Sequence, residues 1–411
     1  MTRINYHKVF QAGAHHCTRL EDTYQRVCAT FDRVGITRVA NVTGLDRIGI
    51  PVAMAVRPNA KSLSVSQGKG TSLLAAKVSA SMEAIELYHA ENIEKPLIFT
   101  SHSALINSDL DVVSIRHLAR SREHTFNPHI RRPWIEAHCV HKNSSVYVPF
   151  EILDLNTTGD TLGNYGAFIV DSNGLAAGNS CDEAVLHGLY ECIERDAIAL
   201  WSCAPASHKI ESFVDIETLD DPICGVYIDK IRNAGLQTYI WNAVSDIGIP
   251  TFVCLICCPH NQVRPGFGSG THLNKGVALL KAVTEAAQSR LTFISGARDD
   301  QTKALYHKQM QKSEANSYAL MRPNNQAGLN YQHITSPQIS APSDQDINII
   351  CKSLSLCGVN TILTVDLTKP EINIPVVRVL VPGLENLSKA HVRIPGERLM
   401  SHMKAYAHAT H

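Results

Sequence analysis

The sequence has no excess of charge of either sign. Lysine and arginine number 38 together, as do aspartate and glutamate, so the formal net charge is zero. A surface for nucleic acid or for an anionic membrane needs clustered positive charge, and the composition argues against both partners. Hydrophobic residues make up 44% and charged residues 18% of 411 residues. This balance is typical of a globular chain with a sizeable core, in two or three domains or one large one.

Long apolar runs are also missing. The segment MTRINYHKVFQAGAHHCTRLED has no apolar run of signal-peptide length after its basic residues. No stretch approaches the roughly 20 apolar residues that span a bilayer. We therefore expect a cytoplasmic protein with no membrane segment.

Metal-binding patterns of cysteine and histidine are scarce. Cys254 and Cys257 form a C-x-x-C among 12 scattered cysteines, but they lie in TFVCLICC, which is typical of a buried strand. No second pair stands at zinc spacing, and the histidines form no zinc motif. The pattern favours reduced, buried thiols over redox or metal chemistry.

An internal repeat organises the chain. Residues 23–56, 223–256 and 347–381 each predict a helix, a glycine, a strand, a turn with Asp and Ile-Pro, and a second strand. The glycines fit helix C-caps, and Pro51, Pro250 and Pro375 each open a strand. A second unit, predicted as a Gly-bearing loop before a long helix, begins at SQGKG, LAAGNS and GFGSGTH. Short connections between strands favour an α+β protein with mostly antiparallel sheets.

Each long helix carries polar residues at i, i+4 and i+7, which places a trio on one stripe. The trios are Ser79, Glu83 and Glu86; His187, Glu191 and Glu194; and Lys281, Glu285 and Gln288. A solvated face is the ordinary interpretation of one Glu-x-x-Glu pair. Three copies on helices rich in Ala, Ser and Val, with few cations nearby, favour a functional edge.

Carboxylates held together without cations repel one another, and partial burial raises that cost. A divalent cation removes the repulsion, and oxygen ligands suit Mg²⁺, which shares its coordination shell with phosphates. We therefore predict a magnesium–phosphate site at Glu83, Glu86, Glu191 and Glu194.

A phosphoryl-transfer site also needs positive charge on the moving group. The candidate cations are Lys69, in the predicted SQGKG loop, and Arg195, Arg290 and Arg298. Each has the ordinary alternative of a pairing with a nearby acid. Neither SQGKG nor GFGSGTH fits a Walker A or Rossmann fingerprint.

These segments resemble the motifs of the YcaO family. SQGKG…VSASMEAIE, NGLAAGNS…HGLYECIERDA and GSGTH…AVTEAAQSRLTFISGARDD look like its three ATP-site motifs. The stretches GITRVANVTGLDRIGIPVA and VVRVLVPGLE also fit, so the resemblance covers about residues 35–385. It implies a YcaO-type α+β fold, in which we expect pseudo-symmetric helix–strand–strand repeats. We divide the chain into residues 1–60, an N-terminal part of the catalytic domain; 61–400, the ATP-binding domain; and 401–411, a tail.

The resemblance also implies an activity. Such proteins bind ATP and Mg²⁺ and phosphorylate an amide oxygen as a nucleophile attacks, which gives an azoline, a thioamide or an amidine. Carried over to this sequence, Glu83, Glu86, Glu191 and Glu194 are expected to hold Mg²⁺. From the need for positive charge on the transferred group, we expect Lys69, Arg195 and Arg290 to be catalytic. The ATP-binding residues are Ser66, Lys69, Ser79, His187, Glu191, Glu285, Gln288 and Arg298.

Two departures from the family pattern bear on the product. Leu87 follows Glu86 where the family usually has Arg, and the chain ends in KAYAHATH rather than in the Pro-x-Pro-x-Pro tail of many azoline-forming members. VTGLDRIGIP and EAAQSRLTFISGARDD are more similar to members that make thioamides with a TfuA partner. We expect thioamide formation on a peptide or protein, a TfuA-like sulfur-delivery partner and a homodimer.

Three alternatives stay open at this point. One is an azoline-forming cyclodehydratase, which differs in the mass of its product. Another is a two-metal hydrolase, which needs no nucleotide. The third is a non-catalytic peptide-binding subunit, for which Leu87 is the only support in the sequence.

Overall fold

The computed structural model describes residues 9–11, 14–159, 165–258, 265–297, 328–337 and 343–409. The chain divides into two compact units, each built from separate segments. Unit 1 comprises Met1–Asn59, Leu63–Ala84 and Trp201–Pro342, and unit 2 comprises Ala60–Ser62, Ile85–Leu200 and Ser343–His411. The sequence-based division at residues 60 and 400 stays a prediction.

Helices and strands are interspersed along the described residues. The helices are α1 (Leu20–Cys28), α2 (Phe31–Val34), α3 (Leu73–Glu91), α4 (His102–Ile106), α5 (Cys181–Cys203), α6 (Ala206–Glu211), α7 (Pro222–Asn233), α8 (Lys275–Ser295), α9 (Ser343–Leu356) and α10 (Glu397–Ala409). The strands are β1 (Val9–Gln11), β2 (Ala14–His16), β3 (Arg38–Asn41), β4 (Val52–Val56), β5 (Val65–Lys69), β6 (Leu97–Ser101), β7 (Arg131–Cys139), β8 (Ser144–Pro149), β9 (Leu175–Ala177), β10 (Val214–Asp215), β11 (Gln237–Asn242), β12 (Thr251–Cys257), β13 (Gly266–Thr271), β14 (Leu329–Asn330), β15 (Leu363–Asp366) and β16 (Val376–Leu380). The named strands pair antiparallel except β10 with β14, so the expected α+β fold with mostly antiparallel sheets is confirmed.

Each of three stretches folds as a helix–strand–strand module, as the repeat predicts. Module A contains α1, α2, β3 and β4; module B contains α7, β11 and β12; module C contains α9, β15 and β16. The two strands of each module pair antiparallel. Before the first strand stands Gly35, Gly235 or Gly358, with φ angles of 77°, 68° and 78°. Glycine reaches this left-handed backbone most easily, because it has no Cβ.

Each module also has a third strand and a long helix. In module A, β5 pairs with β4 and leads into α3, and in module B, β13 pairs with β12 and leads into α8. In module C, β9 pairs with β16 and leads into α5, although both precede the rest of the module along the chain. Module A up to Ala84 and module B lie in unit 1, and module C lies in unit 2 up to Leu200 of α5.

The Gly-bearing segments SQGKG and GFGSGTH, predicted as flexible loops, are strands β5 and β13. The alternate glycines Gly266, Gly268 and Gly270 of β13 leave no room for a Cβ against α8. A Cβ built on Gly268 would lie 2.2 Å from the backbone nitrogen of Ala286 and 2.3 Å from the carbonyl oxygen of Ala282. The loop prediction is therefore wrong, because here glycine permits close strand–helix packing rather than a free turn.

The core of unit 1 forms where β11 and β12 pack on α7 and α8. Its fully buried members include Ile231, Ile240, Phe252 and Ala282. Cys254 belongs to the same core, with no exposed surface. The prediction of buried thiols in TFVCLICC is thus confirmed for Cys254.

Candidate functional site

The polar trios of the three long helices occupy the same structural position. A backbone bond joins the end of each third strand to the proline before each second strand: Gly70 to Pro51, Gly178 to Pro375 and His272 to Pro250. The trio follows this bond at the same offsets in all three modules. The sequence repeat thus corresponds to a structural repeat, and the trios are equivalent sites on α3, α5 and α8.

The trios are not solvated helix faces. Glu194 is buried, with 6% of its surface exposed. The remaining members are half-buried, namely Ser79, Glu83, Glu86, His187, Glu191, Lys281, Glu285 and Gln288. Apolar side chains occupy the neighbouring stripes, such as the buried Ala80 and Ala84 of α3. Half-burial keeps a carboxylate accessible to a ligand and raises the cost of leaving it charged without a partner.

In unit 1, β5 holds the acidic side chains of two modules. The backbone N–H of Gln67 donates to Glu83 Oε2 at 3.0 Å. The ammonium group of Lys69 lies 2.5 Å from Glu285 Oε2, in an ion pair between modules A and B. The structure thus brings together three predicted site residues, Lys69, Glu83 and Glu285, along one strand.

Arg290 of α8, a predicted catalytic cation, is an ion-pair partner of Asp46. Its Nε lies 2.9 Å from Asp46 Oδ2, and the two side chains are 2% and 6% exposed. A second bond joins its Nη2 to Asp46 Oδ1 at 3.3 Å. Sequence analysis noted Asp46 only as a feature of the repeat and gave it no role. Their separation of 244 positions leaves no local signal of the pairing.

Several buried polar atoms of unit 1 have no hydrogen-bond partner within the described residues. Three of them, Ser66 Oγ, Gln67 Nε2 and Arg290 Nη1, belong to residues of β5 and α8. The amide oxygen of Gln67 accepts from Thr292 of α8, so the amide nitrogen is fixed beside β5. Buried donors are rarely left without partners in native proteins, and their presence fits a polar ligand such as a nucleotide.

In unit 2, β9 holds side chains from α3 and α5. The backbone N–H of Ala177 donates to Glu86 Oε1 at 2.7 Å. His187 Nδ1 lies 3.4 Å from the carbonyl oxygen of Ala177. The backbone N–H of Gly174 donates to Glu191 Oε2 at 3.2 Å. The structure therefore brings Glu86 and His187 to β9, and Glu191 to Gly174, the residue just before that strand.

The electrostatics around Glu191 favour a cationic ligand. Burial raises the pKa of Glu191, Arg195 counteracts this at 3.4 Å, and the neighbouring Glu194 adds to it. The Arg195 side chain is 46% exposed, so water screens its charge and it does not fully offset the burial of Glu191 beside Glu194. A bound cation would lower the cost of ionising Glu191.

The donor set fits Mg²⁺. Among the residues that the structure describes, no three His, Cys, Asp or Glu side chains form a closed metal site. Mg²⁺ commonly uses one or two protein carboxylates and completes its shell with water and phosphate oxygens. Carboxylates fixed by backbone N–H groups, as those of Glu86 and Glu191 are, suit that role.

Arg298 and Leu87 are the other two residues that the sequence analysis singled out. Arg298, a predicted ATP ligand, lies outside the described residues. Leu87, at the position where the family usually has Arg, is buried with 7% of its surface exposed. The position after Glu86 therefore contributes to apolar packing in this chain.

No helix within the described ranges has the length and apolar character to cross a membrane.

Comparison with known proteins yields one family and several relatives. A family model described as YcaO cyclodehydratase, with ATP and Mg²⁺ binding, matches residues 67–385. The chain is 34% identical over 386 residues to an uncharacterized protein in the tfuA 3′ region of Rhizobium leguminosarum bv. trifolii, covering 90% of this chain and 87% of that one. It is 32% identical over 398 residues to an uncharacterized protein of Methanothermobacter thermautotrophicus, covering 93% and 98%.

Solved structures share the fold. YcaO from Methanopyrus kandleri, bound with AMPPCP and Mg²⁺, superposes with a TM-score of 0.75 at 20% identity, covering 95% of this chain and 99% of that one. A heterocyclase in complex with substrate and cofactor gives a TM-score of 0.79 at 23% identity over 94% of this chain. The chain spans only 54% of that heterocyclase. The expected cofactors, ATP and Mg²⁺, are those of the matched family.

Proposed function

The chain belongs to the YcaO family, and on that premise we propose that it catalyses ATP- and Mg²⁺-dependent O-phosphorylation of a backbone amide in a peptide or protein. The proposed product is a thioamide, formed with a TfuA-like partner that delivers sulfur. ADP and inorganic phosphate are the other products. A cytoplasmic location and a homodimer complete the proposal.

One observation carries this proposal: the polar trios of α3, α5 and α8 occupy one register and lie half-buried beside strand backbones. Backbone N–H groups orient the carboxylates of Glu83, Glu86 and Glu191. Ordering a carboxylate in this way costs conformational entropy, which a solvated helix face does not need to lose. Acidic side chains that are already oriented favour a role in metal and nucleotide binding over a purely structural role.

The residues divide into three roles. Glu83, Glu86, Glu191 and Glu194 would hold Mg²⁺, which when bound offsets the negative charge of the triphosphate. Ser66, Ser79, His187, Glu285, Gln288 and Arg298 would bind the nucleotide. Lys69, Arg195 and Arg290 would supply positive charge to the transferred group. Because Arg290 is already paired with Asp46, its unpartnered Nη1 is the atom that would face a ligand.

The chemistry balances without an oxidant or reductant. A sulfide-level nucleophile adds to the amide carbon and releases its proton, and the amide oxygen takes the γ-phosphoryl group of ATP. The C–O bond then breaks, inorganic phosphate leaves with the former amide oxygen, and C=S remains. Phosphorylation thus converts a poor leaving oxygen into a good one, and positive side chains stabilise the charge that develops.

The thioamide product is favoured by the relative from a tfuA 3′ region, which is 34% identical to this chain. An azoline product stays the second candidate, because the family model is described as a cyclodehydratase. In that case a Cys, Ser or Thr side chain of the substrate replaces sulfide as the nucleophile, and the peptide loses one water.

The experiment uses the chain, a TfuA-like partner and a candidate peptide whose backbone oxygen carries a heavy isotope. We expect label in the released phosphate and the mass gain of sulfur replacing oxygen in the peptide. Loss of one water instead would identify the azoline reaction. Turnover without ATP, or phosphate without label, would overturn amide activation and point to a hydrolase.

A further inference from the structure

A polar cavity lies in unit 2, and none of the residues assigned to ATP is among those that line it. It has a volume of about 80 Å³ and is lined by residues that include Asp171, Asn173, Arg378, Asn386 and Arg393. A cavity of this size has room for a small ion.

Two buried guanidinium groups line this cavity with unsatisfied donors. Arg378 is 3% exposed and Arg393 is 7% exposed. Nε and Nη1 of both side chains have no hydrogen-bond partner within the described residues. An arginine carries five N–H donors, and burying them without acceptors is costly.

The carboxylates beside these arginines already accept from other donors. Asp171 Oδ1 accepts from the backbone N–H of Asn173 at 3.0 Å, and its Oδ2 accepts from Asn386 Nδ2 at 2.7 Å. Arg378 reaches the carboxylate only through Nη2, at 3.5 Å. Nη2 also donates to the carbonyl oxygens of Asp171 at 2.6 Å and of Ile152 at 3.3 Å, so the unmet hydrogen-bonding demand of Arg378 is that of Nε and Nη1.

Glu385, the ion-pair partner of Arg393, is occupied in the same way. Its two carboxylate oxygens accept from the backbone N–H groups of Leu399 and Gly396, at 3.1 and 3.2 Å. The nearest guanidinium nitrogen of Arg393, Nη2, lies 3.6 Å away. Burial lowers the pKa of both Arg378 and Arg393, which is the direction expected when acidic partners do not offset desolvation.

We propose that this cavity binds a small oxyanion, in which anionic oxygens accept from the free nitrogens of Arg378 and Arg393. Hydrogen bonds between charged groups are about twice as strong as neutral ones, so an oxyanion satisfies these donors better than water does. The cavity wall also holds a buried acceptor, Asn173 Oδ1, which has no hydrogen-bond partner in the part of the chain that the structure describes. A protonated oxygen of a phosphate monoanion would donate to it, whereas sulfate has no such proton. Inorganic phosphate is therefore the matching probe.

The test is a thermal unfolding titration with inorganic phosphate, without ATP and Mg²⁺, at constant ionic strength set with chloride. We expect a saturable rise in Tm for the wild-type chain, larger with phosphate than with sulfate at pH 6. The rise should be lost in Arg393→Gln and kept in Arg131→Gln, which removes the same charge from an exposed arginine of unit 2. No saturable rise in the wild type, or the same rise in Arg393→Gln, would overturn the proposal.

Two further variants keep the test decisive. If Arg393→Gln does not fold, Asn173→Leu replaces the cavity acceptor by an apolar group of similar size and should abolish the preference for phosphate over sulfate. Lys69→Ala, which alters a proposed nucleotide-binding residue of unit 1, should keep the phosphate effect. Loss of the effect in Lys69→Ala alone would assign phosphate to the nucleotide-binding residues and contradict the cavity as its site. The outcome does not depend on amide activation, which the labelled-oxygen experiment tests separately.

Discussion

Lys69 Nζ and Glu285 Oε2 lie 2.5 Å apart, although 216 positions separate the two residues. The pair joins β5 of module A to α8 of module B, and both members come from predicted ATP-site motifs. Their side chains are 22% and 29% exposed. A nucleotide that uses either residue must therefore share or replace this contact.

The Lys69–Glu285 pair gives the first prediction. Lys69→Met should cost about 1 kcal/mol or less of stability, because water screens a pair that is only partly buried. It should weaken Mg-ATP binding about tenfold, the loss expected for one charge-assisted hydrogen bond of about 1.5 kcal/mol. Calorimetric titration and thermal unfolding measure the two effects. Lys352→Met, on an exposed lysine of α9, serves as control, and equal affinities in the two variants would count against a nucleotide role for Lys69.

The buried pair Arg290–Asp46 should behave differently. Arg290→Met should cost about 3–5 kcal/mol, because it leaves the buried Asp46 carboxylate without its cation. The double variant with Asp46→Leu should recover much of that loss. Thermal unfolding of the two variants checks this expectation.

The same double variant separates structure from catalysis. If Arg290 also contributes its free Nη1 to phosphoryl transfer, the recovered protein should remain inactive. A stable double variant with full ATP turnover would show that the role of Arg290 is structural, namely to join modules A and B.

The close packing of β13 on α8 predicts that alanine at a glycine of β13 destabilises the protein. Gly268→Ala should cost about 3 kcal/mol, because its Cβ would overlap the backbone of α8. Gly225, on α7, has no atom within 4 Å of a built Cβ, and Gly225→Ala should raise stability by up to about 1 kcal/mol. Tm values of both variants decide the matter, and a tolerated alanine at position 268 would contradict the close packing.

The C-x-x-C segment should be chemically inert in the native protein. Cys254 is fully buried, and burial raises the pKa of Cys257 to about 11. Reagents that alkylate cysteine thiolates should therefore modify the exposed Cys181 and Cys203 at pH 8 before they modify Cys254 and Cys257. Mass mapping of the labelled native chain tests this, and rapid labelling of Cys254 or Cys257 would revive a redox role.

Local patterns predicted a large part of the fold. The three helix–strand–strand modules and the shared register of the trios follow from the hydrophobic period and from punctuating Gly and Pro, which are properties of neighbouring residues. The scarcity of cations around Glu83, Glu86 and Glu191 favoured a functional edge over a solvated helix face, and in the structure these side chains are half-buried.

Long-range geometry was not accessible in the same way. The glycines of β5 and β13 were interpreted as a sign of backbone freedom. In the structure they allow each strand to pack closely on a helix, and the sequence does not specify which helix that is. The Asp that the sequence repeat places before Ile-Pro is Asp46 in the first copy and Asp366 in the third, and this equivalence is wrong. Asp366 instead accepts from the N–H of Thr368, as Asn41 does from that of Thr43. A short polar residue in a turn carries too little information to fix such an equivalence.

The most direct test of the central claim is calorimetric titration of a non-hydrolysable ATP analogue with and without Mg²⁺. We predict saturable binding that requires Mg²⁺ and weakens at least about tenfold, or 1.4 kcal/mol, in Glu191→Gln. Glu397→Gln changes a glutamate whose side chain is 70% exposed and should bind like the wild type. Binding that is independent of Mg²⁺, or unchanged in Glu191→Gln, would contradict the account.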